Sequence, residues 1–298
     1  MKISIASGEI LQRFGIEEGT KLLAECGFDA MDIDLGWMQP WGCLDRAEEN
    51  RWETISDDEM MKVMLPYKEA AHKYGIAFGQ AHASYPTYHK TEQGRQRIGD
   101  MLCRQIQICG YLDCPRLVVH PGYANYNEQL TESETWETNI QLFSQLIAFL
   151  KKYRVTVCIE NLFLSRRRKI MDGVCSDAEE AVRYVDTLNE IAGEKCFAFC
   201  FDTGHSLMLG KDMRKFIHTL GHRIEALHLN DNDGTDDLHT MPYNGALDWE
   251  RTINALKDVG YSNTINFEIL FGNTPNEVLP QALQYISSVG RYISNKLQ

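Results

Sequence analysis

The chain contains no cysteine pair at CxxC spacing, and its nine cysteines are scattered and odd in number. This excludes the common thiolate zinc clusters and a fully paired disulfide framework. Cys103, Cys109, Cys158, Cys196 and Cys200 fall inside strand- or helix-like runs, where a free thiol behaves as a small hydrophobe. Long hydrophobic runs are also missing. Nothing approaches the ~20 apolar residues of a membrane span, and the opening MKISIASGEI has no extended signal-like apolar stretch. A reducing cytoplasm without a membrane partner is the expectation. No stretch rich in Pro, Gly or Ser interrupts the 298 residues, so residues 1–298 are expected to form one domain. Positive charge is in short supply: 30 Lys and Arg face 42 Asp and Glu, a formal charge of −12. Such a balance repels a phosphate backbone unless basic side chains are locally concentrated, and nucleic acid is not the expected partner. The one basic run, Arg166-Arg167-Arg168-Lys169, follows Glu160-Asn161 closely. It reads as a solvated loop, with a hold on an anionic group as the alternative.

What is present is an ordinary globular composition, 44% apolar and 24% charged, enough to bury a sizeable core. Eight short apolar runs predict strands at Lys2–Ala6, Ala30–Leu35, Ile76–Ala81, Arg116–His120, Val155–Glu160, Phe197–Asp202, Ile224–Leu229 and Thr264–Glu268. Helical segments separate them. Ile16–Cys26, Asp57–Tyr74, Glu92–Cys109 and Trp249–Val259 each end at a glycine suited to a left-handed cap (Gly27, Gly75, Gly110 and Gly260). Thr131–Tyr153 and Pro275–Ile293 are further helices, and Ser176 with Glu179 offers a capped start for one reaching Ile191. Strands alternating with helices imply parallel pairing through right-handed crossovers. Eight repeats close an α/β (β/α)8 barrel more naturally than they extend an open sheet.

Six residues capable of holding a metal or a proton close these runs: His82, His120, Glu160, Asp202, His228 and Glu268. In such a barrel the carboxyl ends of the strands share one face, so these residues are expected to converge there. Glu160 after VTVCI reads equally well as a charge leaving the core. Asp202 after CFAFCF does not, because a carboxylate following an apolar strand is costly to desolvate without a partner. Glu160, Asp202, His228 and Glu268 supply three carboxylates and one imidazole. That donor set suits a divalent metal, with Mn²⁺ the first expectation and Mg²⁺, Co²⁺ or Zn²⁺ as alternatives.

The motifs IEN at 159–161, FDTGH at 201–205, LHLNDNDG at 227–234, Asp237-Leu238-His239 with the following P-x-x-G-x-x-D-W, and FEI at 267–269 resemble the xylose isomerase-like TIM-barrel superfamily. That group holds sugar isomerases, ketose 3-epimerases and endonuclease IV. The resemblance runs through nearly the whole chain by strand order and is densest from Val155 onward. It implies one divalent metal on Glu160, Asp202, His228 and Glu268, with the two glutamates also moving protons. A metal drawing electron density from a ketose carbonyl and its neighbouring hydroxyl stabilises an enediolate, and acids on opposite sides of the rim could each address one face of it. A small-molecule sugar is the expected partner.

Other positions carry weaker expectations. His205 suits a hydrogen bond to a substrate oxygen, or a satisfied histidine at a helix start. His82 and His120 become substrate-binding or supporting groups, while Asp237 and His239 order the loop after the seventh strand. Trp37, Trp41 and Tyr85 sit on rim loops, where aromatics either stack on a sugar or seal the barrel mouth. The loop Gly36–Arg51 reads as a lid or as a contact between copies in a homo-oligomer. Ketose epimerases usually carry an arginine shortly after the LHxxDN segment, but here Asn232-Asp233-Gly234-Thr235-Asp236-Asp237 has none. A glycosylated, acidic or otherwise modified sugar is therefore carried beside a free ketose. The competing enzyme reading is a multi-zinc phosphodiesterase like endonuclease IV, for which His82, His120, Glu160, Asp202, His205, His228, Asp237, His239 and Glu268 supply matching ligand types. A non-catalytic sugar-binding or assembly protein is the third reading, and it would need vestigial ligands.

Overall fold

The computed structural model describes residues 1–40, 42–45, 50–124, 130–167 and 169–298. In chain order the strands are β1 (Ile3–Ala6), β2 (Ala30–Asp34), β3 (Ala77–His82), β4 (Arg116–Val119), β5 (Thr156–Glu160), β6 (Phe163–Arg166), β7 (Lys169–Asp172), β8 (Phe197–Asp202), β9 (Ile224–His228) and β10 (Ile265–Phe267). All but β6 and β7 pair in parallel, in the order β10-β1-β2-β3-β4-β5-β8-β9. The remaining gap is bridged where Leu229 N donates to Asn266 O (3.0 Å) and Glu268 N to Leu229 O (3.1 Å). The expected (β/α)8 barrel is what the chain forms.

The helices are α1 (Gly8–Phe14), α2 (Ile16–Glu25), α3 (Arg51–Thr54), α4 (Asp57–Tyr74), α5 (Glu92–Tyr111), α6 (Glu132–Ser144), α7 (Ile147–Tyr153), α8 (Ala178–Ala192), α9 (Thr203–Met208), α10 (Met213–Leu220), α11 (Trp249–Asp258) and α12 (Leu279–Leu297). Local chemistry sets their ends. Ser56 and Glu59 form a reciprocal capping box at the start of α4, and Gly75 closes it at φ +70°.

Several boundaries differ from the expectations. Gly110 lies inside α5 rather than capping it, because a Cβ there would come within 2.9 Å of Tyr153; the glycine serves the close approach of α7. The single helix expected over Thr131–Tyr153 is two, interrupted where Leu146 N bonds Phe143 O in a tighter turn. Asp177, not Ser176, caps α8, its Oδ1 accepting from Glu179 N and Glu180 N. The last helix starts at Leu279 instead of Pro275, with Pro280 in its first turn. The basic run is not a plain loop. Arg166 and Lys169 belong to an antiparallel hairpin, β6–β7, while Arg168 lies outside the described residues.

Strand alternation positions the site. Residues of one parity, such as Ile3, Ile5, Met31, Ile33, Val157, Ile159, Phe199 and Phe201, join the large core shared with the helices. The other parity fills the barrel with small side chains, Val118, Cys158, Ala198, Cys200 and Ala226. Two residues farther along the same rows stand His120, Glu160, Asp202 and His228. The two-residue period therefore carries ligand types onto the inner rim while the large apolar residues face outward.

Asp231, fully buried just past β9, ties down the loop that follows. Its Oδ1 accepts from Asn232 N (3.0 Å) and Leu247 N (2.9 Å), and its Oδ2 accepts from Trp249 Nε1 (2.8 Å). Asp231→Ala strands these donors, and a loss of about 3 kcal/mol or more is expected from charged, buried hydrogen bonds of this kind. Urea unfolding of the two proteins measures it; a loss below about 1 kcal/mol would mean that Asp231 does not anchor the loop.

Candidate metal centre

Glu160, at the end of β5, is the hub. Its Oε1 accepts from His228 Nδ1 (3.0 Å), while Oε2 lies 3.2 Å from His120 Nε2 and 3.6 Å from His82 Nε2. His228 Nδ1 also faces Glu268 Oε2 at 3.2 Å and Asp202 Oδ2 at 4.0 Å. Ligand atoms of Glu160, Asp202, His228 and Glu268 all fall within 4.8 Å of one another. The structure thus brings together the four residues expected to share one cation.

Neighbouring amides set the geometry of these groups. Asn161 pairs its side chain with the backbone of Asp202, donating to Asp202 O (2.9 Å) and accepting from Asp202 N (2.8 Å). Asp202 in turn caps α9, Oδ1 accepting from His205 N (2.7 Å), while Asn230 Nδ2 donates to Oδ2 (3.0 Å). A strand ending in Asp-Thr-Gly-His folds this way because the aspartate is at once the last strand residue and the helix cap.

A second group lies beside the first. His205 Nε2 and His239 Nε2 stand 3.6 and 3.1 Å from Asp237 Oδ2, and these three residues could also hold a cation. Their rings are turned by backbone carbonyls: His205 Nδ1 lies 2.8 Å from Asn161 O and His239 Nδ1 lies 3.2 Å from Glu268 O. His82 is held likewise, Nδ1 against Ala83 O at 2.8 Å, and its ring stacks on His228. Such contacts leave Nε2 of each ring facing the cavity.

The cavity measures about 320 Å³, and its walls include His82, Tyr85, His120, Glu160, His205, Asp237, His239 and Glu268. Trp37 is not among them. It packs edge-on against Trp52 (ring centroids 4.6 Å apart) and donates Nε1 to Asp34 O (2.9 Å), so it borders the neighbouring groove instead. Trp41 lies outside the described residues. Sequence reasoning missed Asp32, which lies buried beneath the site. Gln80 and Asn266 donate to its Oδ2, and His228 Nε2 approaches the same atom at 3.4 Å without hydrogen-bond alignment. The signal was available: in AMDIDL the acids alternate with apolar residues, which sends Asp32 and Asp34 to the same face as the ligands.

A family model for the xylose isomerase-like TIM barrel matches residues 20–289. The chain belongs to that family. Among curated relatives it is similar to an uncharacterized protein, y4fM, of Sinorhizobium fredii (24% identical over 206 residues, 68% of this chain). It also resembles the inosose isomerase of Bacillus subtilis (20% over 187 residues, 61% of this chain) and a probable endonuclease 4 of Mycoplasmopsis agalactiae (25% over 199 residues, 61% of this chain). The matches span 62%, 63% and 65% of those relatives' own lengths. Among solved structures, a putative xylose isomerase from Rhodospirillum rubrum superposes with a TM-score of 0.79 at 17% identity, covering 98% of this chain and 99% of that one. D-psicose 3-epimerase from Clostridium cellulolyticum H10 gives 0.73 at 17% identity, covering 99% of each chain. The IOLI protein with a bound zinc atom also gives 0.73 at 17%, covering 100% and 99%. At these identities the structural likeness establishes the fold.

The electrostatics of this family member fit a cation. Burial pushes the Asp202 carboxyl up to about 6, and the nearby Glu160 and Glu268 add to the push. Burial opposes charge on His82 as well, but Glu160 overrides it and holds the ring near 9. His205 is drawn to about 10 despite its burial by Asp202, Asp237 and Glu160, and His239 to about 9 by Asp237 and Glu268. His120 goes the other way, because burial outweighs the pull of Glu160. Acids that draw protons onto neighbouring histidines present the same negative field to a divalent cation. The residues present fit the metal that the donor set implies.

Proposed function

We propose that this protein is a divalent-metal-dependent sugar isomerase or epimerase that moves a proton at the carbon next to a ketose carbonyl. The observation carrying this reading is the convergence of Glu160 and Glu268 on one buried imidazole, His228 Nδ1, from strands on different sides of the rim. Glu160, Asp202, His228 and Glu268 would hold the ion, with Mn²⁺ the first candidate. When bound, it supplies Lewis-acid polarisation of the carbonyl and its neighbouring hydroxyl. One glutamate takes the proton from one face of that carbon, and the other returns a proton to the opposite face. His205 and His120 present ring nitrogens to the cavity and orient substrate oxygens, while Asp237 keeps His205 and His239 turned inward. The inosose isomerase and psicose epimerase likenesses support this reading at the level of reaction class. Nine free cysteines suit a reducing compartment. Deuterium entering the ketose carbon from solvent, followed by NMR with defined divalent ions, tests the reaction; a panel of ketoses and derivatives without any exchange would rule it out.

One observation favours a second reading, hydrolysis of a phosphodiester by several zinc ions: the His205–Asp237–His239 group is arranged for metal in its own right. Elemental analysis of protein purified with excess zinc separates the two. Under the isomerase reading His239→Ala leaves the metal content at one ion per chain. A wild-type content above one that falls in His239→Ala, together with nicking of abasic DNA, would replace the isomerase by the phosphodiesterase.

A further inference from the structure

We infer that the substrate is an unphosphorylated ketose carrying a second sugar ring, and that this ring sits in a groove beside the metal-ligand cavity. This rests on the isomerase reading of that cavity. Gly8, Glu9, Asp34 and Leu270 line both the cavity and the groove, and the groove continues to Trp37 and Tyr67. Its volume is about 840 Å³ against 320 Å³ for the central cavity. Ligand sites run from roughly 300 to 1,000 Å³, so the central cavity is at the scale of a single small ring and leaves the larger space unused.

The groove has the chemistry of a neutral sugar site. A pyranose presents an apolar C–H face and a rim of hydroxyls. Half-buried Trp37 and Tyr67 offer aromatic surface, and Leu270, 60% exposed at the junction, offers apolar surface that a ligand would cover. Asp34 and Glu9 are acceptors for the hydroxyls. Gly36 N fixes Asp34 Oδ1 at 2.7 Å, and Phe271 N fixes Glu9 Oε2 at 2.9 Å, so both carboxylates are oriented before a ligand arrives.

Charge argues against the phosphorylated alternative. No lysine or arginine is among the described residues lining the cavity or the groove. Arg13 spends its guanidinium on Glu9 and on the carbonyls of Gly272 and Thr274. In the groove a phosphate with nearly two negative charges would face Asp34 and Glu9 with Arg13 already engaged.

The test uses manganese-loaded protein with fructose, fructose 6-phosphate and the three glucosyl fructoses linked through O4, O5 and O6. For at least one disaccharide the kcat/KM of deuterium exchange is expected to exceed that of fructose by about tenfold, the scale at which added pocket contacts discriminate substrates. Fructose 6-phosphate should fall below fructose. Saturation-transfer NMR should mark the glucosyl ring of that disaccharide, and Trp37→Ala should weaken both signals. Exchange on fructose with no gain for any disaccharide, or with the phosphate preferred, overturns the inference and leaves the isomerase reading standing. Saturation of the glucosyl ring, sensitive to Trp37→Ala but without exchange on any sugar, keeps the groove and removes the isomerase. Neither signal removes both.

Discussion

Glu160→Gln and Glu268→Gln are each expected to stop the proposed epimerisation in both directions, with kcat lowered by about 10²- to 10⁴-fold, the range that a positioned acid or base supplies. The two variants should not be equivalent. Each retains one glutamate, and that glutamate can still take and return a proton on its own face. Glu160→Gln should therefore allow deuterium into one epimer of the substrate without inversion, and Glu268→Gln into the other. Because both residues also belong to the proposed metal cluster, metal content must be measured beside the rates at saturating Mn²⁺. Full metal occupancy with undiminished epimerisation in either variant would remove the two-base assignment. Equal exchange into both epimers by both variants would place proton transfer on another group, and His205, Nε2 facing the cavity beside Asp237, would be next.

The barrel was legible in the sequence because its two faces obey different rules. Outward-facing strand residues are large and apolar where they meet the helices, and an inner cluster is small, so the βα units announced themselves. The rim residues were legible for the same reason: at the last inward position of a strand, a titratable residue faces the mouth. Asp32 was less visible because it lies within a strand, not at its end. Its cost is met by Gln80 and Asn266, which come from β3 and β10 and are distant in sequence. Gly110 misled because a glycine before a strand signals a cap equally well whether it supplies a positive φ or clears space for Tyr153. Trp37 was placed near the site by its loop, but its ring is turned by Trp52 and by the carbonyl of Asp34, contacts that no local pattern encodes. The second histidine group became more informative in three dimensions. As a motif Asp-Leu-His suggested loop order, whereas the structure turns both Nε2 atoms toward one carboxylate.

Chelation should abolish exchange and also lower the thermal midpoint, since an ion that binds only the folded barrel stabilises it by mass action. At a free metal concentration a hundred times its Kd that contribution is about 2.7 kcal/mol. For a domain of 298 residues it corresponds to a shift of roughly 4 °C. The metal-free protein should also acquire a pH dependence that the loaded protein lacks. His82, His205 and His239 sit at about 9, 10 and 9 in the fold, above the usual histidine value of 6.5. Groups raised in this way stabilise the fold fully below 6.5, and the contribution is lost as pH climbs through 9 to 10. Their partners Glu160, Asp202, Asp237 and Glu268 are then left crowded without counter-charge. Chemical denaturation at pH 6.5 and pH 9.5, with and without manganese, measures the difference. Stability of the chelated protein that is flat across this range, at the same value as the loaded protein, would show that no cation replaces those protons.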